Sequence, residues 1–236
     1  MKTCLYGSAA IFSALVLSCP AFAQQSGTPA PPPLTAGTTQ KAPLPGVSVD
    51  VSQMDTIKKF GVQADAIMRE WYPKIVDILG SGPKNPPSQI TVTFDLNYDG
   101  VAAAAGNKIV CSPKWFAAHP DDIGAIVHET AHVVQSYPKY NPVWLVEGIA
   151  DYVRWFCFEP ESKRPQPNPA RATARDSYRT TGAFLFWVTN KYDKDAVKKL
   201  NTALREDTYT EDIWVRLTGK TLDVLNTEWI ASLPKK

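Results

Sequence analysis

Val127-His128-Glu129-Thr130-Ala131-His132-Val133-Val134-Gln135 is the stretch that decides how this chain is to be read. It has the form H-E-x-x-H and lies in a run, residues 120–135, that is apolar nearly all round. Residues four apart share one face of a helix, so His128 and His132 can turn both imidazoles to one ion. Glu129, one position past the first histidine, can reach a water on that ion. A helix apolar on every side is a buried one, and imidazoles and a carboxylate buried without partners are costly. A shared metal removes that cost. The sequence therefore predicts one Zn2+ ion on His128 and His132, in a central helix over residues 120–135, with Glu129 as general base.

Moving outward, the next segment is Trp144-Leu145-Val146-Glu147-Gly148-Ile149-Ala150-Asp151-Tyr152, on a helix expected over residues 141–156 with Asn141-Pro142 at its start. Glu147 and Asp151 are four apart and so point the same way. Glu147 is assigned to the metal and Asp151 to the free N–H of a ligand histidine, with the reverse as the competing assignment. Two histidines and one carboxylate leave zinc an open position, as hydrolysis requires. Polarised carbonyl chemistry also needs a donor for the developing oxyanion. Tyr178 is the choice, over Arg179 and Tyr152, because it starts a helix after a basic loop. His119, the third histidine of the chain, is expected in a loop.

The N-terminal end has another character. Met1-Lys2, an apolar run over residues 9–17 and Ala21-Phe22-Ala23 make a Sec-type signal peptide, residues 1–23, cut after Ala23. The apolar run is too short to span a bilayer, and no other segment could do so. Lipid attachment through Cys19 is disfavoured by Pro20. Secretion or periplasmic residence follows. Residues 24–46 are rich in Pro, Thr, Ala and Gln and form a linker, leaving residues 47–236 as the domain. Of four cysteines Cys111 and Cys157 remain after cleavage, and the sequence leaves open whether they pair. A net charge of +2 gives no footprint for nucleic acid. Nothing in the chain specifies an oligomer, so a monomer is the default expectation.

Within the domain, residues 47–51, 89–94, 101–106 and 108–111 have strand character. A long helix over residues 54–79 carries Ile57, Phe60, Ala64, Ile67, Trp71, Ile75 and Ile78, with Pro73 a kink point. Ser112-Pro113 opens a short helix through Phe116. The run Ala102-Ala103-Ala104-Ala105 would let a substrate backbone come close if it lay at a sheet edge beside the metal. Residues 159–175, with four prolines and four cations, form a long loop. Helices follow over residues 176–191, 194–204, 210–217 and 221–232. Strands early and helices late make the fold class α+β: a small mixed β-sheet before a helical C-terminal half, with the active-site helix between them.

His128-Glu129-x-x-His132-x-x-Gln135 and Glu147-Gly148-Ile149-Ala150-Asp151-Tyr152-Val153-Arg154, with Tyr178-Arg179-Thr180-Thr181-Gly182-Ala183 and Thr218-Gly219-Lys220-Thr221 further on, closely resemble the basic secretory protein family, the peptidases of plants and bacteria. The resemblance runs from about residue 47 to 233. It implies a zincin-like fold, zinc, and extracellular proteolysis of peptide or protein substrates; plant members are associated with defence. The Glu147 helix is also similar to the third-ligand helix of aminopeptidase-N-like enzymes, and the Glu147/Asp151 spacing to thermolysin-like ones. Both similarities favour Glu147 as the ligand. The function expected is a secreted zinc metallopeptidase, taken as an endopeptidase because no motif for holding a free amine is present. The alternative is a non-catalytic zinc-stabilised domain that binds cell-wall or other extracellular polymers.

Overall fold

The structure, a computed structural model, describes residues 45–50, 57–80 and 82–234. The expected signal peptide, its cleavage after Ala23, Cys19 and nearly all of the linker lie outside the described residues. Strand β1 (Gly46–Asp50) precedes helix α1 (Lys58–Leu79), which Pro73 does not end. Gly80 closes α1 in the left-handed region, φ +83°, where a glycine carries no Cβ penalty. The buried stripe of α1 runs through Phe60, Ala64, Met68, Tyr72, Ile75 and Leu79. Ile67, Trp71 and Ile78, expected in that stripe, stand on its flank and are half-buried. The polar-looking Tyr72 takes the interior position because the i, i+4 row from Ala64 through Met68 leads to it.

Strands β2 (Gln89–Phe94), β3 (Ala102–Ala105) and β4 (Lys108–Cys111) complete a four-stranded sheet in the order β1-β2-β4-β3. β1 and β2 pair in parallel, as do β2 and β4, while β3 runs antiparallel to β4 with Ala103 opposite Val110. The mixed sheet expected from the sequence is present. β3, made wholly of alanine, is an edge strand.

Helix α2 (Pro113–Ala118) begins as its sequence demands: the Ser112 hydroxyl accepts from the Trp115 N–H at 3.4 Å, with Pro113 at the first helical position. The central helix α3 (Gly124–Gln135) starts four residues later than expected. Pro120 and Asp121 form a turn instead. Asp122 is not free to cap, because its carboxylate accepts from Trp115 Nε1 at 2.9 Å and from the Arg154 guanidinium. Every α3 residue except His132 is buried, as an apolar circumference requires. Each of Val127, Val134 and Ile126, fully enclosed, contributes on the order of 2 kcal/mol of burial. The C-terminal end of α3 is clamped by Arg205, which donates to the Val134 and Gln135 carbonyls at 2.9 and 3.1 Å. A cation there also matches the negative end of the helix dipole.

Helix α4 (Val143–Tyr152) follows a cis Asn141–Pro142 peptide, and the capping position falls on Pro142, which makes no side-chain capping hydrogen bond, rather than on Asn141. The expected helix over 141–156 changes character near its end, becoming a π-helical segment, Val153–Phe158. Within the long loop after it Lys163 pairs with Glu159 and Arg164 with Glu161, and Arg175 ties the loop to the helical half through Glu211 and Asp223. Helices α5 (Tyr178–Lys191), α6 (Ala196–Arg205), α7 (Asp212–Thr218) and α8 (Leu222–Ser232) build the helical half. α4 and α5 lie against each other through small residues. A Cβ on Gly148 would sit 2.1 Å from Thr181 Cγ2, and one on Gly182 would sit 3.1 Å from the Tyr152 backbone nitrogen. No helix among the described residues is long and apolar enough to cross a membrane.

Candidate metal centre

The i, i+4 spacing on α3 brings His128 and His132 together as predicted, their Nε2 atoms 3.1 Å apart. α4 delivers Glu147 to the same point: its Oε2 lies 3.2 Å from His128 Nε2 and 3.4 Å from His132 Nε2. Among the described residues these three form a group whose ligand atoms all fall within 4.8 Å of one another. Asp151, one turn further along α4, reaches the other face of the first imidazole, with Oδ1 2.7 Å from His128 Nδ1. Gln135 does the same for the second, with Oε1 2.7 Å from His132 Nδ1. The orientation of that amide is chemically fixed, because its Nε2 donates to the Val146 carbonyl at 3.0 Å and a carbonyl can only accept.

Tautomers follow from these partners. Both Nδ1 atoms face oxygens that accept, so both Nδ1 atoms carry hydrogen. The lone-pair-bearing Nε2 atoms then converge on each other and on a carboxylate oxygen. Such a cradle repels itself unless a cation sits in it, and the donor set of two imidazoles and one carboxylate suits a transition-metal ion such as zinc. The same attraction shows in the proton affinities. Burial works to lower the His128 pKa, but hydrogen bonds to Asp151 and Glu147 outweigh it and carry it up to about 10. Burial works to raise Glu147, yet when a proton stands in for the cation on the imidazoles, hydrogen bonds with His128 and His132, together with that from Tyr140, hold it far below the usual carboxylate range.

Glu129 is buried on the turn between the two histidines. Burial pushes its pKa up; the nearby histidines and the Ala104 N–H, aimed at the carboxylate from the edge strand, draw it partly back. Residues alternate along a strand, so Ala102 turns its N–H and C=O to the same free edge as Ala104, while Val101 O faces β4 through Ser112 N at 3.0 Å. The alanine run therefore does lie at a sheet edge next to the cluster.

Tyr178 stands where it was expected, at the first turn of α5. Its ring stacks on His128 at 6.2 Å between centroids, tilted by 20°, and it is 54% exposed. It follows Ser177 in the left-handed region, at φ 44° and 65°, a conformation that costs non-glycine residues on the order of 1–3 kcal/mol. Strain of that kind concentrates where a side chain must be aimed. Tyr152, weighed for the same role, stacks on Phe156 instead. His119 sits at the end of α2, stacked on Trp115 and away from the cluster.

The sequence reading missed Tyr140. Its hydroxyl donates to Glu147 Oε1, leaving Oε2 for the histidines, and its ring lies 5.9 Å from that of His132. The signal was present but faint: residues 136–142 join the two ligand-bearing helices, so an aromatic there has to pass close to the cluster. The whole arrangement opens into a cleft of about 730 Å³ whose walls include Tyr98, Ala102, Ala104, Trp155, Tyr178 and Arg179. Cys111 and Cys157 are both free thiols.

A mixed sheet beside a helical half, with a buried His–His–Glu group on the two helices between, defines an α+β protein with a candidate metal site. Residues 55–229 match the sequence model of the BSP family, described as peptidase of plants and bacteria, and the chain belongs to that family. The resemblance drawn from the sequence is thereby borne out. No curated protein and no solved structure matched the chain.

Proposed function

We propose that the chain is a secreted, zinc-dependent metallopeptidase with a zincin-like arrangement, made with a signal peptide over residues 1–23 and a linker to residue 46. The observation that carries this reading is the convergence of His128 Nε2, His132 Nε2 and Glu147 Oε2 in one buried cradle. Family membership supports peptide or protein as substrate. A divalent ion held by these three residues supplies Lewis acidity to the scissile carbonyl and acidifies the attacking water.

The protein's own groups do the rest. Asp151 and Gln135 fix the tautomer and aim of the two imidazoles. Tyr140 holds one oxygen of Glu147 so that the other faces the histidines. Glu129 takes the proton of the attacking water on its carboxylate and returns it to the leaving amine; burial, which raises its pKa, suits a base working near neutral pH. The Tyr178 hydroxyl donates to the carbonyl oxygen as negative charge develops there. The free edge of β3 receives the substrate backbone as an added strand, an arrangement that accepts an internal stretch of peptide and so favours endopeptidase action.

The test is direct. Zinc-loaded protein is expected to cleave a peptide panel, to lose that activity with a chelator, and to regain it with zinc. Glu129→Gln is expected to keep its metal, measured by elemental analysis, while kcat falls roughly 100-fold to 10,000-fold. Undiminished turnover in that variant removes Glu129 as the base. A domain that unfolds without metal yet cleaves nothing returns the polymer-binding alternative.

A further inference from the structure

The cleft has a second group of residues beside the cradle that the mechanism above does not use. Where α4 passes into the π-helical segment, the Glu159 N–H donates to the Arg154 carbonyl five residues back at 2.8 Å. The wider coil changes which residues face the cleft, and π-helical turns of this kind recur at functional sites. Arg154 and Trp155 become part of the wall. The Trp155 ring, 9% exposed, carries two guanidinium groups, those of Arg154 and Arg179, each 4.4 Å from its centroid.

The two arginines are not equivalent. Arg154 is nearly enclosed, its side chain 13% exposed, and Asp122 neutralises it. Arg179, one residue after Tyr178, is exposed and has no ion pair or hydrogen bond among the described residues. Of the four loop cations, Lys163, Arg164 and Arg175 each have an acidic partner, and Arg171, exposed and without one among the described residues, does not line the cleft. Asp176, on the same wall, already accepts from the Thr173 N–H and hydroxyl at 2.8 and 2.9 Å. The indole Nε1 of Trp155 is likewise buried without a partner among the described residues. A guanidinium resting over an aromatic face is held in place without using up its N–H donors, and those donors match a carboxylate in two-point fashion.

We infer that Arg179, positioned on Trp155, forms a carboxylate-binding subsite of the cleft, so that preferred substrates present an acidic group next to the scissile bond. This rests on the peptidase reading and adds the substrate class to it. The carboxylate comes either from an Asp or Glu side chain or from the C-terminus of the peptide, and the two are separable. Zinc-loaded protein is given matched peptides: internal Glu with an amidated end, internal Gln with an amidated end, and internal Gln with a free end, the Glu/Gln being scanned through the sequence.

About tenfold higher kcat/KM for Glu over Gln identifies a side-chain carboxylate; about tenfold for the free end over the amide identifies the chain terminus. In either case Arg179→Gln is expected to bring the ratio near one, mainly through KM, and Arg179→Glu to bring it below one. Ratios near one in the unaltered protein, or a preference that survives Arg179→Gln, overturn the subsite. If no peptide is cleaved, the peptidase reading fails separately. The subsite is then judged by binding of the same peptides, fluorescently labelled: carboxylate-dependent binding that Arg179→Gln abolishes supports it, and absence of such binding overturns it.

Discussion

Tyr140 illustrates how much a single hydroxyl can decide. A carboxylate with two free oxygens can swing either toward the histidines, and Tyr140 removes that freedom by holding Oε1 of Glu147. Tyr140→Phe is therefore expected to weaken zinc binding about tenfold, measured by competition with a chelating dye, with little change in fold. Unaltered affinity would remove Tyr140 from the positioning role. The two thiols give another residue-scale expectation. Burial pushes Cys111 up to about 12 and Cys157 up to about 11, so neither supplies much thiolate at neutral pH. Folded protein should resist iodoacetamide at pH 8, while unfolded, unreduced protein should take up label at both positions, mapped by peptide mass. A linked pair recovered instead would contradict the free thiols. His128, Glu129 and His132 were legible in the sequence because helical spacing alone brings them together. Tyr140 was not, since a loop residue has no period by which to be placed.

At the scale of elements, the contact of α4 with α5 governs where Glu147 and Asp151 stand. Gly148 faces Thr181 so closely that an added methyl meets a short, branched side chain with nowhere to turn. Gly148→Ala is expected to cost about 1–3 kcal/mol in denaturant unfolding and to reduce peptide turnover, because the neighbouring ligand moves with the helix. Unchanged stability and turnover would mean that the helices have slack. Most elements could be read from periodicity and capping residues: the Ser112-Pro113 start of α2, Gly80 after α1, the apolar girth of α3. Two features could not. Residues 120–122 read as the opening of the central helix, and only Trp115 and the distant Arg154 make Asp122 a bridge instead. The switch to π-helical winding at Val153 leaves the apolar pattern almost intact, so Arg154 and Trp155 gave no sign that they would reach the cleft.

Over the whole molecule, acid sensitivity follows from a surface junction of the helical half. Glu228 on α8 joins Lys220, Tyr192 and Lys191, and those hydrogen bonds, Lys220 first, depress its pKa from 4.5 to about 2. A group with a depressed folded pKa adds stability that is fully present above 4.5 and fades as the pH falls toward 2. Glu228→Gln should flatten the pH dependence of unfolding in that window, with the two proteins converging at its acid end; identical pH profiles would remove Glu228 as a contributor. The α+β class and the order of strands before helices were readable in the chain, being sums of local patterns. The placement of β3 at the edge was not, because strand order is set by pairings between distant segments.

Arg205 reaches the helix of the two histidines from far down the chain, 70 residues beyond Gln135. Both histidines and their glutamate exist long before that guanidinium does, yet the last carbonyls of their helix stay unclamped until it arrives. A chain stopped short of α6 would carry all three residues of the candidate metal site and still lack the group that seats the helix bearing two of them. If an ion is held there, its capture would be tied to completion of the polypeptide, and partial products of synthesis or proteolysis would hold it poorly.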